Sequence, residues 1–338
     1  MQRRRRDADM AGTLMDKERG GREKAPLLAA KKQKSAARLL LLLLAALSLL
    51  LAGCTEEKGY IDFTRRAATP EEPASERPLV IAFAPVMSPE ATRQPYERMV
   101  SYIAEKLDRP VTMVQKRGAA ELDQLVAAGE ADVAFLSTGA YTAYRGQEPI
   151  ELLAMVETNG TILYRTFIIV AADSKIEDFA SLKGSVFAFV DPLSHSGRLA
   201  VDYRLLEEGL TPEQYFGRIF YTHHHDKSIW AVANHLADGA SIDNQIYEHL
   251  LQTNPQLAAK VRIIDELAVA PTGPVVVRRN LAPEEKEKLR RIFYEMADDE
   301  AMRPVLRSAV IDRFVPPEGE LYEPLRQKFL AHERLSGE

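Results

Sequence analysis

The sequence predicts an α/β protein folded as two similar lobes behind a leader. Three observations carry this. Short apolar runs alternate with segments whose apolar residues recur at helical spacing, as expected of mostly parallel sheets flanked by helices. A helix–Gly–strand unit occurs twice, at 125–135 and 232–242, about a hundred residues apart, although this connection is common and weak as a repeat. The first 53 residues do not pattern as a folded domain at all.

Each element follows from its residues. Leu79 to Phe83 reads as a buried strand, and Tyr96, Met99, Val100, Ile103 and Leu107 then share a helix face. Val111 to Val114 and Ala131 to Leu136 read as strands either side of a helix marked by Leu122, Leu125 and Val126. Further strands are expected at 168–171, 186–190, 240–242, 261–264 and 275–277. Helices are expected at 197–208, 227–238, 244–252, 283–297 and 301–309, followed by a C-terminal tail.

The leader is basic, then apolar. Leu39 to Gly53 is an uncharged run ending in Leu51-Ala52-Gly53-Cys54. It is too short for a comfortable spanning helix and matches a signal-peptide core. Small residues before the sole cysteine suit cleavage and lipidation at Cys54; the alternative is an uncleaved anchor. Residues 1–53 are expected to be a lipoprotein signal peptide and 54–77 a lipidated tether, polar and Pro-containing. The remainder then lies on the extracytoplasmic side, lipid-anchored in the cell envelope.

Composition excludes several classes. With 46% apolar and 28% charged residues the chain is neither multispanning, fibrous nor wholly disordered. One Cys excludes a disulfide framework and multi-Cys metal centres. Without residues 1–53, the 44 basic residues fall by 12 and the 49 acidic by 5, leaving a net charge of −12. That argues against a nucleic-acid partner, so any bound anion must be held by a local site. No P-loop, G-x-G-x-x-G, H-E-x-x-H or G-x-S-x-G motif is present. No enzyme activity, cofactor or metal is expected.

Three loops that follow strands and open helices carry the chemistry. Ligands in open α/β sheets bind beyond the carboxyl ends of strands, where helix N-termini present free N–H groups. The first loop contains Ser137, Thr138 and Tyr141; hydroxyls there either hold an oxyanion or cap a helix. The second, Asp191 to Gly197, brings Ser194, His195 and Ser196 together, enough donors for a tetrahedral anion. The third is His223-His224-His225-Asp226. Adjacent histidines diverge in direction, which disfavours one shared metal. Asp243 closes a short strand and is either a helix cap or an acceptor for a protonated ligand oxygen or an ammonium.

In this order the motifs resemble the phosphate/phosphite/phosphonate-binding proteins of ABC importers, the PhnD-like family. Phe187-Ala188-Phe189-Val190-Asp191-Pro192 leads into a loop resembling its S-T-S-G, here Ser194-His195-Ser196-Gly197. His225-Asp226 resembles its S-H-D helix start, and Asp243 its second-lobe acidic position. Tyr164-Arg165, Pro274 to Val277 and Arg313-Phe314-Val315-Pro316 resemble further signatures. His195 stands where the family has Thr, and His224 where it has Ser.

The resemblance implies a two-lobed type II periplasmic-binding-protein fold with two crossing strands. It places lobe 1 at 78–168 plus 273–338 and lobe 2 at 169–272. It implies ligand contacts from Tyr141, Ser194, Ser196 and His225, with Asp226 and Asp243 as secondary acceptors; Ser137, Thr138, His195 and Ser88 join them as candidates. The expected function is capture of a phosphonate, phosphite or phosphate-like oxyanion by a monomer, for delivery to an ABC permease and its ATPase. The alternatives are ligand sensing for a separate receptor kinase, a transferrin-like iron site, and, least favoured, an enzyme using His195 or His225 as base.

Overall fold

A computed structural model describes residues 77–336. The expected signal peptide, Cys54 and the expected tether up to residue 76 lie outside the described residues. Two sheets form. The first joins β1 (Leu79–Phe83), β2 (Val111–Gln115), β3 (Val133–Phe135), β4 (Ile150–Glu157), β10 (Pro274–Arg278) and β11 (Arg313–Val315) in the order β11-β4-β10-β3-β1-β2. The second joins β5 (Leu163–Ala171), β6 (Val186–Phe189), β7 (Arg218–Tyr221), β8 (Gly239–Asp243) and β9 (Val261–Pro271) in the order β7-β6-β8-β5-β9.

Both sheets have a parallel part, β2-β1-β3 and β7-β6-β8. The crossing strands make them mixed. β10 returns to the first sheet antiparallel to β3 and β4, and β5 enters the second antiparallel to β8 and β9. The sequence divides the lobes after residue 168, but β5 already pairs with β9 from Leu163. The first crossing therefore falls at 158–162; the second is Thr272–Gly273, between β9 and β10.

The longer helices are α1 (Pro89–Leu107), α2 (Ala119–Ala127), α3 (Thr138–Ala143), α4 (Ala200–Glu207), α5 (His225–Ala233), α6 (Asn244–Thr253), α7 (Pro283–Glu295), α8 (Met302–Ser308) and α9 (Glu323–Ser336). In α1, Tyr96, Met99, Val100 and Ile103 are buried, the face that the spacing predicts. Phe83 is fully buried between stacked Tyr96 and Phe135 rings, with centroids at 4.2 and 4.5 Å. Truncating such a ring to alanine costs about 3–5 kcal/mol, so this stack fixes the floor of lobe 1.

Three elements differ from the sequence reading. Ile150–Glu157 is rich in Leu, Ala, Met and Glu, which favour helix, yet pairing with β10 and β11 makes it a strand. The helix expected from residue 197 begins earlier, with a π-helical turn at His195–Leu199. The C-terminal tail contains β11 and α9. α9 lies across both lobes: the Arg326 guanidinium sits 5.3 Å from the Tyr141 ring centre, while His332 approaches Asp202 at 3.8 Å.

Candidate ligand site between the lobes

A cavity of about 120 Å³ lies between the lobes at the carboxyl ends of β3, β6 and β8. A single water needs roughly 10–15 Å³ on such a measure, so the space suits a small ligand. Its two ends differ. Ser194, His195, Ser196, His225, Asp243 and Gln245 form the lobe 2 side. Val86, Met87, Tyr96, Phe135, Val156 and Ile311 form an apolar lobe 1 wall. Ser137, Thr138 and Tyr164 lie between.

Local structure explains the placement. Ser137, Ser194 and Asp243 each cap the helical segment that follows. Their side-chain oxygens accept from Ala140 N–H at 3.2 Å, Gly197 N–H at 3.1 Å and Gln245 N–H at 2.7 Å. Capping and cavity lining are therefore not alternatives here. The caps bring three helix starts, each with its positive dipole end, to one space. Thr138 donates its hydroxyl proton to Pro271 O at 2.8 Å, and Ser137 donates to Leu193 O at 3.3 Å.

Among the described residues no Lys or Arg lines the cavity. Burial lowers the pKa of His195 to about 4 and that of His225 to about 3, with lesser contributions from Lys328 and His224 respectively. Both imidazoles are thus uncharged at pH 7. Burial raises the Asp243 pKa to about 7, against the opposing pull of the Gln245 and Ile246 N–H groups. Among the residues lining the cavity, two buried side-chain nitrogens have no hydrogen-bond partner, Nε2 of His195 and Nε2 of Gln245. Leaving such groups unmade costs about 1–3 kcal/mol each, so a ligand that satisfies them gains affinity.

Three sequence candidates are not brought to the cavity. Tyr141 packs edge-on against Tyr322, with centroids 4.9 Å apart, beneath Arg326. Its place beside the cavity is taken by Tyr164 on β5. Burial, then the Asp243 charge, pushes the Tyr164 phenol above its usual range, while hydrogen bonds with Thr138 and Ser196 oppose this. Ser88 and Asp226 meet each other instead: Ser88 N–H donates to Oδ1 of Asp226 at 3.0 Å.

The histidine run separates as divergent directions require. His223 is exposed with φ 66°, turning the chain into α5; His224 is half-buried; only His225 lines the cavity. No group of three or more His, Cys, Asp or Glu among the described residues could hold a metal ion. Sequence reasoning missed Tyr164 and Gln245 as lining residues. The signal for Tyr164 was its position at the start of a crossing strand; Gln245 carried none.

The family model for the phosphonate periplasmic substrate-binding proteins of ABC transporters matches residues 81–322. A phosphonates-binding periplasmic protein of Escherichia coli (strain K12) is 28% identical over 142 residues, 41% of this chain and 42% of that protein. A phosphate-import protein of Mycolicibacterium smegmatis is 23% identical over 234 residues, 65% of this chain and 72% of that protein. Among solved structures, a binding-protein component of an ABC phosphonate transporter from Pseudomonas aeruginosa superposes with a TM-score of 0.71 at 24% identity, covering 77% of this chain and 88% of that one. A Prochlorococcus marinus protein solved with methylphosphonate gives 0.68 at 16% identity, over 75% and 97%. These neighbours share the type II periplasmic-binding-protein fold. With a family match spanning most of both lobes, the chain belongs to the phosphonate-binding family of periplasmic substrate-binding proteins of ABC transporters.

Proposed function

We propose that this protein captures a small phosphonate in the interlobe cavity and delivers it to an ABC permease, making and breaking no bond. The observation that carries this is the two-ended cavity. Neutral donors converge on the lobe 2 side, from Ser194, Ser196, His225 and Gln245, while the lobe 1 wall is apolar. An oxyanion head fits the first end and a compact apolar substituent the second. Inorganic phosphate would leave the apolar wall without a partner. An aminoalkyl group would bring an ammonium that only Asp243 could meet.

In this reading Tyr164 and His195 complete the set around the head, Ser137 and Thr138, whose hydroxyl protons go to Leu193 O and Pro271 O, frame it, and Asp243 in its protonated form donates to a P–O oxygen. Cys54 carries the lipid, and 54–77 tethers a monomer on the extracytoplasmic side of the membrane. The test is a calorimetric panel of methylphosphonate, phosphate, phosphite, 2-aminoethylphosphonate and sulfate. Methylphosphonate is expected to bind tightest, with affinity lost in Ser194→Ala. A panel in which only sulfate or none of these binds would overturn the reading.

A further inference from the structure

The lobe 1 helices α1 and α2 start without side-chain N-caps of their own, and at both starts lobe 2 supplies the acceptor. The N-cap of α2 is Gly118, which has no side chain to offer, and the Ser88 side chain at the start of α1 makes no cap bond. Oδ1 of Asp226 accepts from Ser88 N–H at 3.0 Å, and Oδ2 of Asp191 accepts from Ala119 N–H at 3.1 Å. Both aspartates stand beside the anion-facing donors. Asp226 follows His225 in α5. Asp191 opens the loop of Ser194 to Ser196, and its other oxygen holds that loop by accepting from Leu193 N–H at 2.9 Å. A backbone bond also joins the lobes beside Asp226, from His225 N–H to Val86 O at 3.1 Å.

We propose that Asp191 and Asp226 are interlobe clasps: positioning residues that touch no ligand but lock lobe 1 onto the ligand-bearing loops of lobe 2. A carboxylate at a helix N-terminus makes a charge-assisted bond that the helix dipole reinforces. Each aspartate sits on a segment that also lines the cavity, so seating the ligand and capping the opposite helix favour the same closed state. The clasps therefore set how long a ligand stays, and the cavity sets which ligand it is. This rests on the proposed phosphonate function for its ligand, but not for its geometry.

The test uses the full chain, with its single Trp230, on the same helix as Asp226, as the fluorescence reporter. Methylphosphonate binding and release are followed by stopped flow. Asp226→Ala and Asp191→Ala are each expected to release it about tenfold faster, the effect of losing one charge-assisted bond. Association should change less than about twofold, because the transition to closure precedes the clasp contacts. The preference for methylphosphonate over phosphate should stand. Asn at either position keeps an acceptor oxygen and is expected to restore part of the residence time. Ser88→Pro deletes the donor instead; Ser88 already has φ −55°, near the proline value. It should speed release as Asp226→Ala does, and it serves if an alanine variant fails to fold.

Unchanged release rates would overturn the proposal, and so would an altered ligand preference, which would put Asp226 on the ligand. If the wild-type chain binds none of the phosphorus compounds, the functional reading fails while the clasps are still decided by hydrogen exchange. In the free protein Ser88 and Ala119 N–H should exchange more slowly in the wild type than in the variant lacking the matching aspartate, to the extent that the closed state is populated. Equal exchange in the wild type and both variants would overturn the clasps.

Discussion

The backbone N–H of Asp243 donates to Nδ1 of His225 across 3.1 Å, although the two residues stand at the starts of different helices. This bond assigns the ring tautomer. Nδ1 is an acceptor, so the proton of the neutral ring is on Nε2. Protonating Nδ1 would set two donors against each other, in a place where burial already opposes charge. His225 is thereby kept as a neutral donor at the cavity, and its neighbour Asp243 is tied to the same point.

Acid stability should report the two buried imidazoles. Their pKa values in the fold are lowered from 6.5 to about 4 and about 3. The unfolded chain takes up protons first, so stability falls as pH drops from about 6.5 towards 4. At pH 5 the expected loss is about 2 kcal/mol for each imidazole. Asp243 acts in the opposite sense, since its raised pKa favours the fold below about 7. Comparing melting profiles of the wild type and His195→Thr isolates one imidazole: the variant should lose less stability between pH 6.5 and 5.

Asp243 should also shape the pH dependence of binding. Below about pH 7 it is protonated and compatible with an anion; above, its charge repels one. Affinity is expected to fall by up to about tenfold per pH unit above 7, the limit for one linked proton. Titration with methanesulfonate as well as methylphosphonate separates this from the ligand's own second ionisation. Asp243→Asn should flatten the profile. An unchanged slope in that variant would remove Asp243 from the account.

Gly139 should be required for closure. A Cβ there would stand 2.1 Å from Leu193 O and 2.9 Å from His195 N, both in lobe 2. Within α3 an alanine is otherwise a better helix former than glycine. Gly139→Ala is therefore expected to keep or raise the melting temperature of the free protein while weakening ligand binding by about tenfold or more. Calorimetry and a thermal melt on one preparation check both halves.

Tyr164 and Tyr141 should separate. Tyr164→Phe removes a buried hydroxyl beside Thr138 and Ser196 and is expected to cost about tenfold in affinity. Tyr141→Phe leaves its packing on Tyr322 in place and should leave affinity within about twofold. Equal losses would mean that the ring under Arg326 also reaches the ligand.

Much of this architecture could be read from the residues, because its signals are local. The strand–helix alternation, the apolar face of α1 and the donor-rich loop at 194–196 each depend on neighbours in sequence. What could not be read depends on distant partners. β4 carries helix-favouring residues and becomes a strand only through β10 and β11. Tyr141 looks equivalent to a ligand contact until α9, absent from the sequence reading, comes back over it with Arg326 and Tyr322 nearby. Asp226 reads as a ligand acceptor because nothing local shows that Ser88, 138 positions away, supplies its donor. Gln245 gives no local sign that its amide will be buried without a partner.

The most direct test is a crystal structure of the protein with methylphosphonate. The account predicts phosphorus at the lobe 2 side, with its oxygens within hydrogen-bond reach of Ser196, His225 and Gln245 and the methyl group against Phe135 and Met87. A ligand with its phosphorus on the lobe 1 wall, or bound outside the cavity, would contradict it.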